Sequence, residues 1–329
     1  MREAWVDYAK GIGIILVVFG HVNRGLYSAG IQLSGSSYLL TDSIIYSFHM
    51  PLFFFLSGLF FTQSLDKKGK TRFVISKIDT IVYPYVVWSL LQGMVEVLLS
   101  RYTNNPSSLG DVLSLFTHPR AQFWFLYALF MVFVLATLLY SKEKYRYLLP
   151  VLIVISAGLY LYQDSLTKAF HFDYITRFLI FFLLGAFAIR YASLIANLGF
   201  GSLLASLIAF IALQWGFHGY SGLLYTDTGS FSLLLAVEAI FFIVSLSVLL
   251  AKTNLSLAET TRRIEHGHLF GAYPRGQRLT HHTDQIYAYR PLANTSDRRH
   301  AIRADRPCNR LCADTASAPY FSLGSSSLQ

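Results

Sequence analysis

Three ionisable side chains stand in or at the edge of apolar runs and could do chemistry: Lys10, His21 and His49. The first two share one run, Asp7-Tyr8-Ala9-Lys10-Gly11-Ile12-Gly13-Ile14-Ile15-Leu16-Val17-Val18-Phe19-Gly20-His21. Eleven residues at roughly 100° each put Lys10 and His21 about 20° apart on one helix face, with a rise of ~16 Å between them. Asp7 falls on the same face, one turn earlier. If the segment crosses a bilayer, the lysine lies near one interface and the histidine in the opposite half. An ionisable group at that depth costs about 2.5 kcal/mol or more unless protein or water surrounds it. Imidazole takes up a proton near neutral pH, so His21 is a candidate general base. The plainer reading is an interfacial histidine hydrogen-bonded to a neighbouring helix.

His49 opens a second apolar run, Ser47-Phe48-His49-Met50-Pro51-Leu52-Phe53-Phe54-Phe55-Leu56-Ser57-Gly58. Pro51 fits the first turn of a helix or a kink, either of which frees backbone groups that need partners. Ser57 and Gly58 admit the close approach of another helix. The phenylalanines are expected to face lipid, and a snorkelling interfacial role is the alternative for His49. Arg72 and Lys77 precede Tyr83-Pro84-Tyr85 in a basic amphipathic stretch. They either satisfy a positive-inside bias or form a cation cluster that grips a phosphate-bearing ligand. Glu96 and Glu238 are acids inside or at the ends of spans, either of which could pair with a basic residue such as Arg177; Glu238 and Arg177 read as structural. Phe123-Trp124-Phe125-Leu126-Tyr127 reads first as an interfacial aromatic belt. No internal repeat, P-loop, nucleophile elbow or metal-ligand cluster stands in the membrane part.

These residues need helices that cross a membrane. The chain has 329 residues, 54% hydrophobic and only 14% charged, against about 25% charged for an ordinary soluble domain. Windows long enough to span lie near 9–27, 39–62, 79–99, 122–140, 147–162, 175–190, 201–217 and 231–250. The expected fold is therefore an all-α polytopic transmembrane helix bundle of about eight spans. No cleavable signal peptide is expected, because the first apolar run lacks a small-residue cleavage site and leads into further spans. Lys67, Lys68, Lys70, Arg72 and Lys77 crowd the loop at 66–77, and Lys142, Lys144 and Arg146 the loop at 141–146. Loops at 24–38, 100–121, 163–174 and 218–230 carry scattered charges. The amino terminus is thus expected to be cytoplasmic. His21, late in an outward span, and His49, early in an inward one, then reach similar depth in the outer half.

The first span resembles the opening motif of the membrane-bound acyltransferase family 3, through Asp7, Lys10-Gly11 and the apolar run ending Gly20-His21. Lysine rather than arginine eleven residues before the histidine looks like the fucose 4-O-acetylase-type branch. Phe48-His49-Met50-Pro51 with Leu56-Ser57-Gly58 is similar to the family's second-helix motif. Arg72, Lys77 and Tyr83-Pro84-Tyr85-Val86-Val87-Trp88 resemble its third segment, and Phe123-Trp124-Phe125-Leu126 a later element. The motifs cover the first ~130 residues in the family's order; beyond them the resemblance is hydropathy alone. It implies transfer of an acyl group, usually acetyl from acetyl-CoA, to a sugar hydroxyl, O-acetylating a surface or exported polysaccharide from a multi-pass position in the cell membrane. The implied partners are a carbohydrate acceptor and the lipid bilayer, with no nucleic acid and no metal; oligomeric state stays open. In these terms His21 is the base and His49 its hydrogen-bond partner or second proton carrier. Lys10 orients the donor, and Arg72 and Lys77 bind the CoA phosphates. A relay through a briefly acylated protein is also compatible with the resemblance. The reading that competes is a transporter or flippase for a sugar-linked or small anionic substrate, with the same residues lining a path.

The last 77 residues are of another character. From Thr253 onward there are ten arginines, no lysine, five of the ten histidines, both cysteines and no span. The domain reading is therefore 1–252 as the transmembrane acyltransferase domain and 253–329 as an atypical, irregular, Arg-rich cytoplasmic tail. An intact family member would have about two further helices, ten spans in all, and a shifted reading frame from roughly 256–260 accounts for their absence. His266, His268, His281, His282, Cys308 and Cys312 match no standard zinc spacing. The sequon Asn294-Thr295-Ser296 falls on the side expected to be cytoplasmic.

Overall fold

The computed structural model describes residues 4–30, 34–99, 108–119, 121–166 and 171–253. Among the described residues there is no strand. The helices are α1 (Ala4–Ser28), α2 (Gly35–Tyr46), α3 (His49–Leu59), α4 (Phe61–Lys68), α5 (Lys70–Lys77), α6 (Tyr83–Leu98), α7 (Leu109–Leu113), α8 (Trp124–Leu139), α9 (Tyr145–Leu161), α10 (Phe172–Ala188), α11 (Ala192–Ala196), α12 (Phe200–Gln214) and α13 (Ser230–Lys252). All described residues belong to one compact unit. The tail from 254 on, with its histidines, cysteines and sequon, lies outside the described residues.

Six helical stretches are long and apolar enough to cross a membrane: Ala4–Ser28, Gly35–Lys68, Lys70–Leu98, Phe172–Ala196, Phe200–Tyr220 and Ser230–Lys252. Trp124–Leu139 and Tyr147–Leu161 are apolar but shorter. Together they occupy the eight windows marked by hydropathy. The 16 residues of α8 rise only about 24 Å, less than ~30 Å of hydrocarbon. The chain is an all-α, multi-pass membrane bundle.

The second window, which hydropathy reads as one span, is broken. α2 ends at Tyr46 and α3 begins at His49. Pro51, third in α3, has no N–H to donate and its ring would collide with the carbonyl of residue 47 in a continuous helix. The chain therefore leaves helical geometry at Phe48, with φ −141°, and His49 becomes the first residue of a new helix.

The core is built where α3 meets α10. Their backbones touch through glycines: a Cβ on Gly58 would run into the carbonyl of Phe182, and one on Gly185 into the carbonyl of Phe55. This close approach is the reason for the small residues after the phenylalanine run. It also corrects the expectation for that run. Phe54 is 0% exposed and Phe55 is buried; Phe54 stacks on Phe178 at 4.5 Å and meets Phe125 edge-on at 5.4 Å. α3 is the central helix, so its phenylalanines face protein rather than lipid. Trp124 packs on Tyr174 and Phe178, at 5.5 and 5.6 Å.

Two π-helical turns interrupt the α pattern, at Ile78–Val82 and Trp215–Tyr220. The first follows from Pro84, which cannot donate to the carbonyl of Thr80 and widens the preceding turn.

Hydrogen bonds sort the connections into two groups, as alternate crossings require. At one end Arg24 of α1 reaches Tyr225 of the α12–α13 connection, and His171, just before α10, reaches the Thr117 carbonyl at 2.7 Å. At the other end Tyr140, after α8, donates to Asp66 of α4 at 2.6 Å, and Lys252 to the Leu198 carbonyl at 2.7 Å.

Candidate functional site

His49 is 1% exposed, and its Nδ1 lies 2.7 Å from the Ile45 carbonyl. A carbonyl can only accept, so Nδ1 carries the proton and the neutral ring keeps its lone pair on Nε2. The break at residues 47–48 creates this arrangement, because the last carbonyls of α2 have no intrahelical donors and the first side chain of α3 supplies one. His49 is thus fixed in tautomer and orientation.

His21 reaches the same place from α1. It lies within electrostatic reach of His49, Arg24 and Asp42. Its ring is half-buried and makes no hydrogen bond to any described residue. Gly20, beside it, packs closely: a Cβ there would stand 3.1 Å from the Tyr46 ring. The structure therefore brings together the two histidines marked in the sequence, at the end of the bundle opposite Lys10.

Around them stands a polar cluster that sequence reading missed. Arg24 donates through Nε and Nη2 to both carboxylate oxygens of Asp42, at 2.7 and 2.8 Å, and through Nη2 to the Tyr225 hydroxyl at 3.1 Å. Its guanidinium also lies 3.5 Å from the centre of the Tyr46 ring. Tyr46 in turn meets His49 edge-on at 4.5 Å. The planar fork of arginine suits this use, two parallel bonds to a carboxylate and a face on an aromatic ring. Asp42 is buried, and a buried carboxylate persists when paired in this way.

Tyr225 closes the cluster from the α12–α13 connection. Its N–H donates to Ser43 Oγ at 2.7 Å, and its carbonyl accepts from Arg177 Nη2 at 3.0 Å. Arg177 is thus drawn to the histidine end, bonded to backbone and not to an acid. Glu96 accepts from Gln92 at 2.9 Å, while Glu238 Oε1 is buried without a partner among the described residues. Arg24 could have been found in the sequence, three residues after His21 on the same helix face, and so could Asp42, as an acid in an apolar window. Tyr225 had no such mark.

Beside the cluster, Tyr46, Ser47, Met50, Trp124, Tyr160 and Arg177 are among the residues that line a cavity of about 80 Å³.

The opposite end is cationic. Lys77 lies within electrostatic reach of Lys10 and Lys68. The Lys77 ammonium sits 3.9 Å from the centre of the Phe133 ring, a cation–π contact that holds the charge without an acid. Arg72 does not join them: it is exposed, and five positions along α5 turn it ~140° from Lys77. Two residues not singled out in the sequence, Lys70 and Lys142, line a recess of about 400 Å³ at this end with Asp66 and Tyr140. Among the described residues no group of histidines, cysteines and acids is placed to hold a metal ion.

The profile of an acyltransferase domain, of the acyltransferase 3 type, matches residues 3–262. The nodulation protein NolL of Mesorhizobium japonicum is 31% identical over 144 residues, 44% of this chain and 37% of that protein. NolL of Sinorhizobium fredii is 28% identical over 139 residues, 42% of this chain and 36% of that protein. The match to these curated relatives spans little more than a third of their length. No solved structure matches the chain significantly.

Proposed function

Because the chain belongs to the acyltransferase 3 family, we propose that it transfers an acetyl group from acetyl-CoA to a hydroxyl of a carbohydrate, O-acetylating a surface or exported polysaccharide. The observation that carries this reading is the meeting of His21 and His49 at one end of the bundle, with the lysines gathered at the other. Acyl transfer to an alcohol needs a group to take the hydroxyl proton as the thioester carbonyl is attacked. His21, half-buried and not bonded to a described residue, is the base. His49, with Nδ1 committed to Ile45 and Nε2 open, is the second proton carrier.

Lys10 and Lys77 supply positive charge for the donor's phosphates, and Arg72 adds charge from the exposed face of the same end. Lys70 and Lys142, on the recess of about 400 Å³, fit the same task. The donor supplies the activated acyl thioester. The rise of ~16 Å from Lys10 to His21 is a gap that a pantetheine arm is long enough to bridge. In this reading the amino terminus and the lysine end are cytoplasmic, the histidines lie toward the outer side, and the protein resides in the cell membrane.

His21→Ala tests the reading in cells that carry the acetylated glycan. Acetylation of the glycan is expected to fall to background while protein level and membrane insertion stay normal. Unchanged acetylation would remove His21 from the mechanism, and export of an unmodified substrate would identify a transporter instead.

A further inference from the structure

The cavity beside the histidines is partly open and offers about 80 Å³. A cavity of roughly 150 Å³ holds benzene, about 25 Å³ per heavy atom, so this one holds roughly three. An acetyl group has that size, and a butyryl group exceeds it. The lining is mixed: Met50, Pro51 and Phe178 bring apolar surface, while Ser47, Ser232, three tyrosines and Arg177 bring polar groups. Phe181 and Phe217 are both 0% exposed and back the wall, while Met50 and Phe178, at 8% and 5%, present surface to the cavity; a wall packed in this way does not yield cheaply.

Arg177 stands out at this depth. It lies in the apolar helix α10, where a cation is expensive unless it is used. Its one hydrogen bond among the described residues goes to the Tyr225 carbonyl at 3.0 Å. Arg24 forms an ion pair with Asp42, whereas Arg177 makes no ion pair with a carboxylate among the described residues. A guanidinium has five N–H donors, which leaves several for the cavity it lines. A whole phosphate, with its five heavy atoms, exceeds about 80 Å³ on this scale, whereas a neutral acyl group whose oxygen turns anionic during reaction suits both the apolar surface and the guanidinium.

We propose that this cavity is the acyl pocket: the methyl group lies on Met50 and Phe178, backed by Phe181 and Phe217, and the carbonyl oxygen faces the Arg177 guanidinium. This rests on the acyltransferase reading above and adds the residues that select the acyl group. The pocket adjoins His49, the second proton carrier, since Tyr46 both lines it and packs edge-on against His49, and Met50 follows His49 in the chain. In the step itself the acceptor hydroxyl oxygen bonds to the thioester carbon as a histidine takes the hydroxyl proton. The carbonyl electron pair moves onto oxygen, where Arg177 meets the developing charge. Collapse of that oxyanion breaks the carbon–sulfur bond, and the departing thiolate receives the proton from the histidine.

The test uses membrane vesicles that contain the full chain and its endogenous glycan, with labelled acetyl-, propionyl- and butyryl-CoA. The unaltered protein is expected to lose about tenfold or more in transfer for each added methylene. Phe181→Ala is expected to reduce the acetyl preference over butyryl by about tenfold or more. If Phe181→Ala fails to insert, Met50→Ala opens another part of the wall and carries the same expectation. Arg177→Gln is expected to lower kcat for acetyl transfer about 100-fold with little change in KM for acetyl-CoA. Acetyl transfer retained with the acetyl-to-butyryl ratio unmoved in both enlarged variants overturns the pocket while leaving the acyltransferase standing. No transfer from any donor by the unaltered protein, with the glycan shown to be present, overturns the acyltransferase reading itself and the pocket with it.

Discussion

At the scale of the residue, the decisive contact is the bond from His49 Nδ1 to the Ile45 carbonyl at 2.7 Å. It separates two jobs within one ring, since Nδ1 fixes the orientation and Nε2 stays open for a proton. Asparagine places an amide donor near the position of Nδ1 and has nothing at Nε2. His49→Asn is therefore expected to keep thermal stability in detergent close to the parent value while acyl transfer falls by about 10²- to 10⁴-fold. Transfer retained in that variant would show that His49 only orients its surroundings. The spacing of Lys10 and His21 was legible because helix geometry fixes which positions share a face. The tautomer of His49 was not, because it depends on a carbonyl that becomes available only where α2 stops.

At the scale of the element, the bundle depends on α3 and α10 lying closer than ordinary side chains permit. Gly58 and Gly185 each oppose backbone of the other helix, at Phe182 and Phe55. A methyl group at either position has backbone in front of it, which cannot swing aside as a flexible side chain would. Gly58→Ala and Gly185→Ala are each expected to destabilise by about 3 kcal/mol or more, at or above the upper end of ordinary overpacking. The measurement is loss of folded, monodisperse protein in detergent, with Gly201→Ala as control, where a Cβ meets nothing within 4 Å. Equal stability of all three would show that the two helices are not held backbone to backbone. The pair Ser57-Gly58 was legible as a site of close approach, whereas its partner was not, since nothing in α10 names α3. The same helix pair explains why the phenylalanine run faces inward: hydropathy measures how apolar a segment is, and both lipid and a protein core reward apolar side chains.

At the scale of the whole molecule, the described bundle ends with α13 at Lys252, and an arginine-rich stretch without a span follows in the sequence. We propose that this stretch is an out-of-frame translation of what should be further helices. Translating the coding DNA in the other two frames past the codon for Leu257 is expected to yield apolar segments of ~20 residues, the length of a span. If neither frame does, the tail is genuine and the shifted-frame reading falls. If one does, enzymology belongs on the restored chain.

The sequence by itself determined the all-α membrane class, the eight apolar windows, the order of the family motifs and the placing of Lys10 and His21 on one face. Each of these follows from local composition or from the period of a single helix, and needs no knowledge of neighbours. Only the tertiary structure decided that Arg24 binds Asp42, that Tyr225, 201 positions after Arg24, meets its guanidinium, and that Arg177 turns to a carbonyl. It also decided that Arg72 stands apart from Lys10 and Lys77, and that a cavity of about 80 Å³ adjoins the histidines. The physical reason is that helix ends and side-chain partners are selected by packing between segments far apart in the chain. A hydropathy pattern records each segment's preference for an apolar surrounding, not which surrounding it finds.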